Sequence, residues 1–193
     1  MGMPIPETYR ELLIGCGNSR QKRFAPSIES GDKFRNLTTV DVDPDAKADF
    51  TFDLNKTPWP LTKGHSWYDK CPDSIFNEIH AYEVLEHLGQ QGDWRGYFAM
   101  FSEIYRLLKP GGYLCASCPS MHSRWAWGDP GHTRIISPEC LTFLDQTEYT
   151  KQIGKTSMTD YRAVWKGDFE LTGHKDDGDS FLFILKAHKP IRA

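Results

Sequence analysis

The apolar run Leu12-Leu13-Ile14 leads straight into Gly15-Cys16-Gly17, so a buried strand is expected to end in a turn that carries almost no side chain. Backbone amides in such a turn can approach a polar ligand closely. About two dozen residues later, Thr39-Val40-Asp41-Val42-Asp43-Pro44 closes a second strand. A carboxylate there can accept both hydroxyl hydrogens of a ribose, and Asp41 is the residue placed to do it. A third strand end brings Asp53 and Leu54, an acceptor for an exocyclic amine beside an apolar cover for a base face. Capping a turn is the plainer role for Asp53. A fourth strand end delivers Ala81, Tyr82 and Glu83, followed by Leu85-Glu86-His87-Leu88.

Residues 119–150 hold a second concentration of reactive groups. Met121-His122-Ser123-Arg124-Trp125-Ala126-Trp127-Gly128-Asp129-Pro130-Gly131-His132-Thr133-Arg134 packs aromatic rings, imidazoles and guanidiniums into one stretch. Two tryptophans can wall off a planar or apolar acceptor, and His122, Asp129 or His132 can remove a proton. The plainer alternative is a packed loop closed by an Asp-Pro-Gly turn. Glu86 and His87 are expected to cap a helix and face solvent. Cys115-Ala116-Ser117-Cys118 has metal or redox spacing, but it lies in a predicted strand without a second ligand pair, so buried thiols are expected. His65 and Cys71 are too isolated to bind a metal, and no metal is expected anywhere.

Chemistry at strand ends needs a scaffold that gathers those ends. Strand-like runs at Glu11 to Ile14, Leu37 to Val42, Phe50 to Leu54, Ile75 to Ala81 and Tyr113 to Cys118 alternate with helical ones, the pattern of a doubly wound parallel α/β sheet. The clearest helix runs from about Trp94 to Leu108, with Trp94, Tyr97, Phe98, Phe101, Ile104, Tyr105 and Leu108 on one face. Asp93 is its N-cap and Lys109-Pro110-Gly111 its stop. Pro26 and Gly31 interrupt the segment between the first two strands, which is expected to be partly loop. Phe169 to Thr172 and Phe181 to Ala187 flank the turn His174 to Asp179 and predict a terminal antiparallel hairpin, for seven strands in all.

The 193 residues suffice for one domain over 1–193, with 119–150 as an insertion on the substrate side. Lys plus Arg number 23 against 26 Asp plus Glu, so no basic field exists to hold a polyanion, and a nucleic-acid partner is not expected. The start lacks a signal peptide, no apolar run can span a bilayer, and an odd count of five cysteines, with Cys16, Cys115 and Cys118 in strand-like apolar settings, suits reduced thiols; a cytoplasmic location is expected.

Gly-Cys-Gly after the first strand, Asp41 after the second, Asp53-Leu54 after the third, Glu83-Val84-Leu85-Glu86-His87-Leu88, and Arg106-Leu107-Leu108-Lys109-Pro110-Gly111-Gly112 together resemble a class I S-adenosylmethionine-dependent methyltransferase over about residues 10 to 119. The chain is most similar to small single-domain members of the ubiquinone-pathway and phage-encoded kind, which for a phage protein means the host cytoplasm. The resemblance implies a Rossmann-like fold with a seven-stranded, mostly parallel sheet. It implies S-adenosyl-L-methionine as cofactor, with Gly15, Cys16 and Gly17 near its methionine moiety, Asp41 and Val42 at the ribose, Asp53 and Leu54 at the adenine, and Tyr82 and Glu83 near the methyl. Two positions depart from the family pattern. Leu13 stands where an acidic residue is usual and Ser19 where glycine is usual, which leaves a backbone carbonyl or Glu83 to meet the cofactor's ammonium.

The function this implies is in-line transfer of a methyl group from the sulfonium to an acceptor, expected to be a small molecule, with a base needed only where the acceptor must lose a proton. A catalytically inactive binding subunit is the alternative from another class. A nicotinamide oxidoreductase is weaker, since Arg20 occupies the place of the fingerprint's third glycine. Neither Asp/Asn/Ser-Pro-Pro-aromatic nor Pro-Cys occurs, which speaks against a DNA methyltransferase; Cys71-Pro72 and Cys118-Pro119 have the reverse order.

Overall fold

Alternate residues of the first strand, β1 (Glu11–Ile14), are buried against different neighbours, and this alternation organises the molecule. Leu12 and Ile14 face the main apolar core, while Leu13 packs with Cys16 and Tyr82 in a smaller cluster on the opposite face. The computed structural model describes residues 9–27, 30–61 and 73–192. His65, Cys71 and Pro72 lie outside the described residues.

Six further strands complete the sheet: β2 (Leu37–Asp41), β3 (Phe50–Thr51), β4 (Phe76–Tyr82), β5 (Leu108–Pro119), β6 (Phe169–Asp176) and β7 (Ser180–Ala187). Their order is β3-β2-β1-β4-β5-β7-β6. β1 pairs in parallel with both β2 and β4, so the chain leaves β1 first to one side and later to the other. The carboxyl ends of β1 and β4 therefore flank the crevice where strand order reverses. β7 inserts antiparallel between β5 and β6, as expected of the terminal hairpin.

Helix α1 (Trp94–Leu107) covers one face of the sheet. Asp93 accepts a hydrogen bond from Gly96 N at 3.0 Å, and Tyr97, Phe98, Phe101, Ile104 and Leu107 are buried. Met100 and Glu103 are buried as well, Glu103 because its carboxylate accepts the Trp59 amide at 2.8 Å. The expected stop at Lys109-Pro110-Gly111 lies inside β5, because Leu108 is already extended and pairs with Phe76. β3 is shorter than expected, since Asp53 turns the chain by accepting the Asn55 amide.

On the other face, residues 15–36 contain no α-helix among the described residues. Register explains what holds this crossover down. Glu11 pairs with Glu78 and Leu13 with His80 across β1 and β4, so two carboxylates meet side by side under the loop. Lys22 reaches in between them, 2.6 Å from Glu11 and 2.8 Å from Glu78, with all three side chains fully buried. Tyr9 donates to Glu78, and Phe24 and Phe34 pack on Tyr82 and His80. Three short helices, α2 (Trp125–Gly128), α3 (Pro138–Thr142) and α4 (Gln146–Gln152), follow β5. No helix of the described residues is long and apolar enough to cross a membrane.

Candidate active site

The turn after β1 uses both of its glycines. Gly15 has φ +60°, and a Cβ there would lie 2.7 Å from Val84 Cβ, with Val84 Cγ2 nearer still. Only hydrogen fits between the loop and the segment after β4. Gly17, at φ +48°, donates its amide to Asp41 Oδ2 at 2.7 Å. The second oxygen of Asp41 accepts the Asp43 amide at 2.9 Å, so the carboxylate at the β2 tip shapes both the glycine loop and its own exit turn. Asp41 is buried while its neighbour Val42 is 65% exposed, an apolar side chain beside the carboxylate at the strand end.

Arg20 holds the loop from outside. Its guanidinium donates to Gly17 O at 2.8 Å and to Ala46 O at 2.8 Å, tying the glycine turn to the 3-10 turn Pro44–Ala46. An arginine thus performs here the closure that a glycine and a following helix provide in a dinucleotide fold. Cys16 is buried and its thiol is pushed up by burial, so it is an inert wall.

At the β4 tip, Glu83 adopts φ +57°, a left-handed conformation rare for a residue with a side chain. Ser117 Oγ donates to its carboxylate at 2.6 Å. Tyr82 turns the other way: its hydroxyl lies 2.7 Å from His80 Nδ1, and burial raises its pKa, so its phenol is committed beneath the 15–36 loop and only its backbone borders the crevice. Asp53 accepts both the Asn55 amide and the Asn55 side chain, and the amide bond outweighs its slight burial and lowers its pKa. Leu54 is buried, its carbonyl taken by the Trp59 indole.

Glu86 departs from expectation. It lies in the 3-10 turn Leu85–His87 and is 2% exposed, because residues 131–134 fold over it: Thr133 N and Arg134 N both donate to the Glu86 carbonyl, at 2.9 and 3.1 Å. Neither carboxylate oxygen has a partner at full hydrogen-bond geometry, and the buried Cys118 thiol lies beside them. Burial pushes this carboxyl up, reinforced by the nearby charge of Glu83. His87 remains exposed, as expected.

Of the three proposed bases, His132 is drawn inward. Its Nδ1 lies 2.8 Å from Trp125 O, and its ring meets that of His87 edge to face at 4.7 Å. Asp129 caps the turn by accepting Gly131 N at 2.7 Å, with its other oxygen 3.8 Å from His132 Nε2. His122 is exposed and lies on the side of Glu139. Trp125 and Trp127 are 55% and 61% exposed, so they are not a packed loop core. Cys115 and Cys118 are free, buried thiols raised by burial.

Residues 12–116, more than half of the chain, fit the family model described as a methyltransferase domain. The chain belongs to this methyltransferase family. It is an enzyme of the S-adenosylmethionine-dependent type, and S-adenosylmethionine is its cofactor.

Solved structures share the fold. A S-adenosylmethionine-dependent methyltransferase from Archaeoglobus fulgidus is 16% identical with a TM-score of 0.52, over 93% of this chain and 86% of that one. The 16S rRNA (adenine(1408)-N(1))-methyltransferase W203A mutant from Catenulisporales acidiphilia is 12% identical with a TM-score of 0.50, over 93% and 85%. No curated protein matches the sequence significantly. Sequence reasoning missed Glu86 and Arg20 as elements of this end of the molecule, and missed Lys22 beneath the 15–36 crossover, where only the pairing of Glu11 with Glu78 hints that a cation must enter.

Proposed function

We propose that this methyltransferase transfers the methyl group to a small-molecule acceptor seated between the tips of β1, β4 and β5 and the segment 119–150. The observation that carries this reading is the Asp41 carboxylate fixed at the β2 tip by the Gly17 and Asp43 amides, at 2.7 and 2.9 Å, beside the exposed side chain of Val42. The bound donor supplies an already activated methyl group. The side-chain-poor turn Gly15, Cys16 and Gly17 lines the methionine moiety, Asp41 and Val42 the ribose wall, Asp53 and Leu54 the adenine end, and the Tyr82 and Glu83 backbone the region of the methyl. With Leu13 apolar, Glu83 is the acid left to meet the ammonium.

Trp125 and Trp127 form the acceptor wall, which excludes water and orients a planar group for in-line attack. Among His122, Asp129 and His132, the inward position of His132 favours it for handling the acceptor's proton. A net charge of -3 favours a small acceptor over a nucleic acid. The test is calorimetry with S-adenosylhomocysteine, then turnover of methyl-labelled S-adenosylmethionine against a panel of hydroxylated and amino metabolites. Binding that is retained in Asp41→Ala would contradict the site. Binding without turnover of any acceptor would favour the inactive subunit.

A further inference from the structure

Glu86 is the one acidic side chain among the described residues whose two carboxylate oxygens are both buried with no partner at full hydrogen-bond geometry, only the Cys118 thiol lying beside them. A buried carboxylate is costly unless something pairs with it. Two histidines stand beside it. One ligand atom each from Glu86, His87 and His132 lies within 4.8 Å of the others. Both imidazoles are already oriented. His87 Nδ1 lies 2.9 Å from Gly131 O and His132 Nδ1 lies 2.8 Å from Trp125 O. A carbonyl only accepts, so each Nδ1 carries the proton, and in the neutral ring the lone pair is on Nε2. Imidazoles fixed by a backbone carbonyl at one nitrogen, with the other free, are the usual supporting arrangement around a metal.

We propose that Glu86, His87 and His132 bind a first-row divalent transition cation of the Mn2+, Co2+ or Zn2+ class. Two nitrogens and one carboxylate oxygen form a donor set for these ions, whereas Mg2+ prefers oxygen alone. The ligands come from two segments locked together, since Thr133 and Arg134 donate to the Glu86 carbonyl itself. Side-chain rotation of about an ångström draws the three atoms around a cation held at about 2.1 Å from each. Asp129, with an oxygen 3.8 Å from His132 Nε2, adds negative charge next to the site.

Three protein ligands leave further coordination positions for water or an acceptor. On the methyl-transfer reading, an acceptor hydroxyl enters such a position and loses its proton to solvent more easily, because the cation stabilises the oxyanion. His132 then holds the cation through Nε2 in place of acting as a free base, and the proton leaves to solvent. The favoured acceptor is therefore one with an ionisable oxygen.

Cation binding is measurable without donor or acceptor, which separates this proposal from the assignment of the methyl site. Chelator-treated protein is titrated with Mn2+, and the free-ion electron paramagnetic resonance signal is followed. The expected result is one Mn2+ per chain, displaced by Zn2+ and only weakly by Mg2+. Glu86→Gln, His132→Ala and His87→Ala should each weaken binding about tenfold or more, while exposed His174→Ala leaves it unchanged. S-adenosylhomocysteine binding, retained in every variant, shows that each is folded. Absence of saturable Mn2+ binding, or binding unaffected by both Glu86→Gln and His132→Ala, overturns the proposal and leaves the reading of Asp41 intact.

Discussion

Asp41 grips the glycine turn: its Oδ2 holds the Gly17 amide at 2.7 Å while Oδ1 holds the Asp43 amide at 2.9 Å. The residue proposed to meet the ribose is thus also the one that shapes the loop around it. Donor affinity and local order should fall together when it is removed. Asp41→Ala is expected to cost about 2 kcal/mol of stability, from two lost charge-assisted bonds to backbone. It should weaken S-adenosylhomocysteine binding by about a hundredfold, by calorimetry, whereas His87→Ala leaves that binding nearly unchanged. Equal, negligible effects at both positions would contradict the assignment.

The two glycines should respond differently to the same substitution. Gly15→Ala meets Val84 as well as an unfavourable φ, whereas a Cβ on Gly17 meets nothing within 4 Å. Gly17→Ala should cost about 1 kcal/mol, the conformational term alone. Gly15→Ala should cost about 2 to 4 kcal/mol because overpacking adds to it. Pairing Gly15→Ala with Val84→Ala should recover part of the loss in a double-mutant cycle by urea denaturation. Strict additivity would show that Val84 is not the obstacle.

The contrast between these positions and the rest of the site marks what a sequence can display. The turn at Gly15 and Gly17 and the strand end at Asp41 were readable because local pattern fixes them. The strands and α1 were readable for the same reason, since apolar periodicity is local. Glu86 was read as solvent-facing because the 3-10 turn gives no sign of residues 131–134 folding over it. Lys22 stood among neighbouring basic residues in an interrupted segment, and only the pairing of Glu11 with Glu78 reveals its partners. Both depend on contacts between distant parts of the chain, and neither leaves a periodic trace.

The Lys22 cluster should dominate the acid limb of stability. Burial alone would raise Glu78, but hydrogen bonds from His80, Lys22 and Tyr9 outweigh it and hold its carboxyl far below the usual range. A depressed folded-state value contributes stability that is complete above the unfolded carboxyl pKa, about 4.3, and is lost as pH falls toward the folded value. Wild-type stability is therefore expected to fall progressively below about pH 4. Lys22→Met leaves two carboxylates buried side by side, at a cost of about 3 to 5 kcal/mol near neutral pH. Its deficit should shrink on acidification, because protonating one carboxyl relieves the repulsion. Urea denaturation of both proteins between pH 3 and 7 checks this, and a deficit independent of pH would refute it.

Trp125 and Trp127 offer a prediction that separates acceptor recognition from folding. Both rings are more than half exposed, and Trp125 is flanked by the Arg124 guanidinium at 5.1 Å from its centroid. Side chains so exposed contribute little to the core, so Trp125→Ala and Trp127→Ala should each change stability by about 0.5 kcal/mol or less. Neither ring belongs to the proposed donor shelf, so S-adenosylhomocysteine affinity should stay at the wild-type value. Removing an aromatic wall from a planar acceptor forfeits about 1 kcal/mol of contact, which should raise the KM for the acceptor several-fold while the KM for the donor holds. Steady-state kinetics with each substrate varied in turn makes the comparison. An unchanged acceptor KM in the double variant would remove these tryptophans from the acceptor site and return them to the plain role of surface residues.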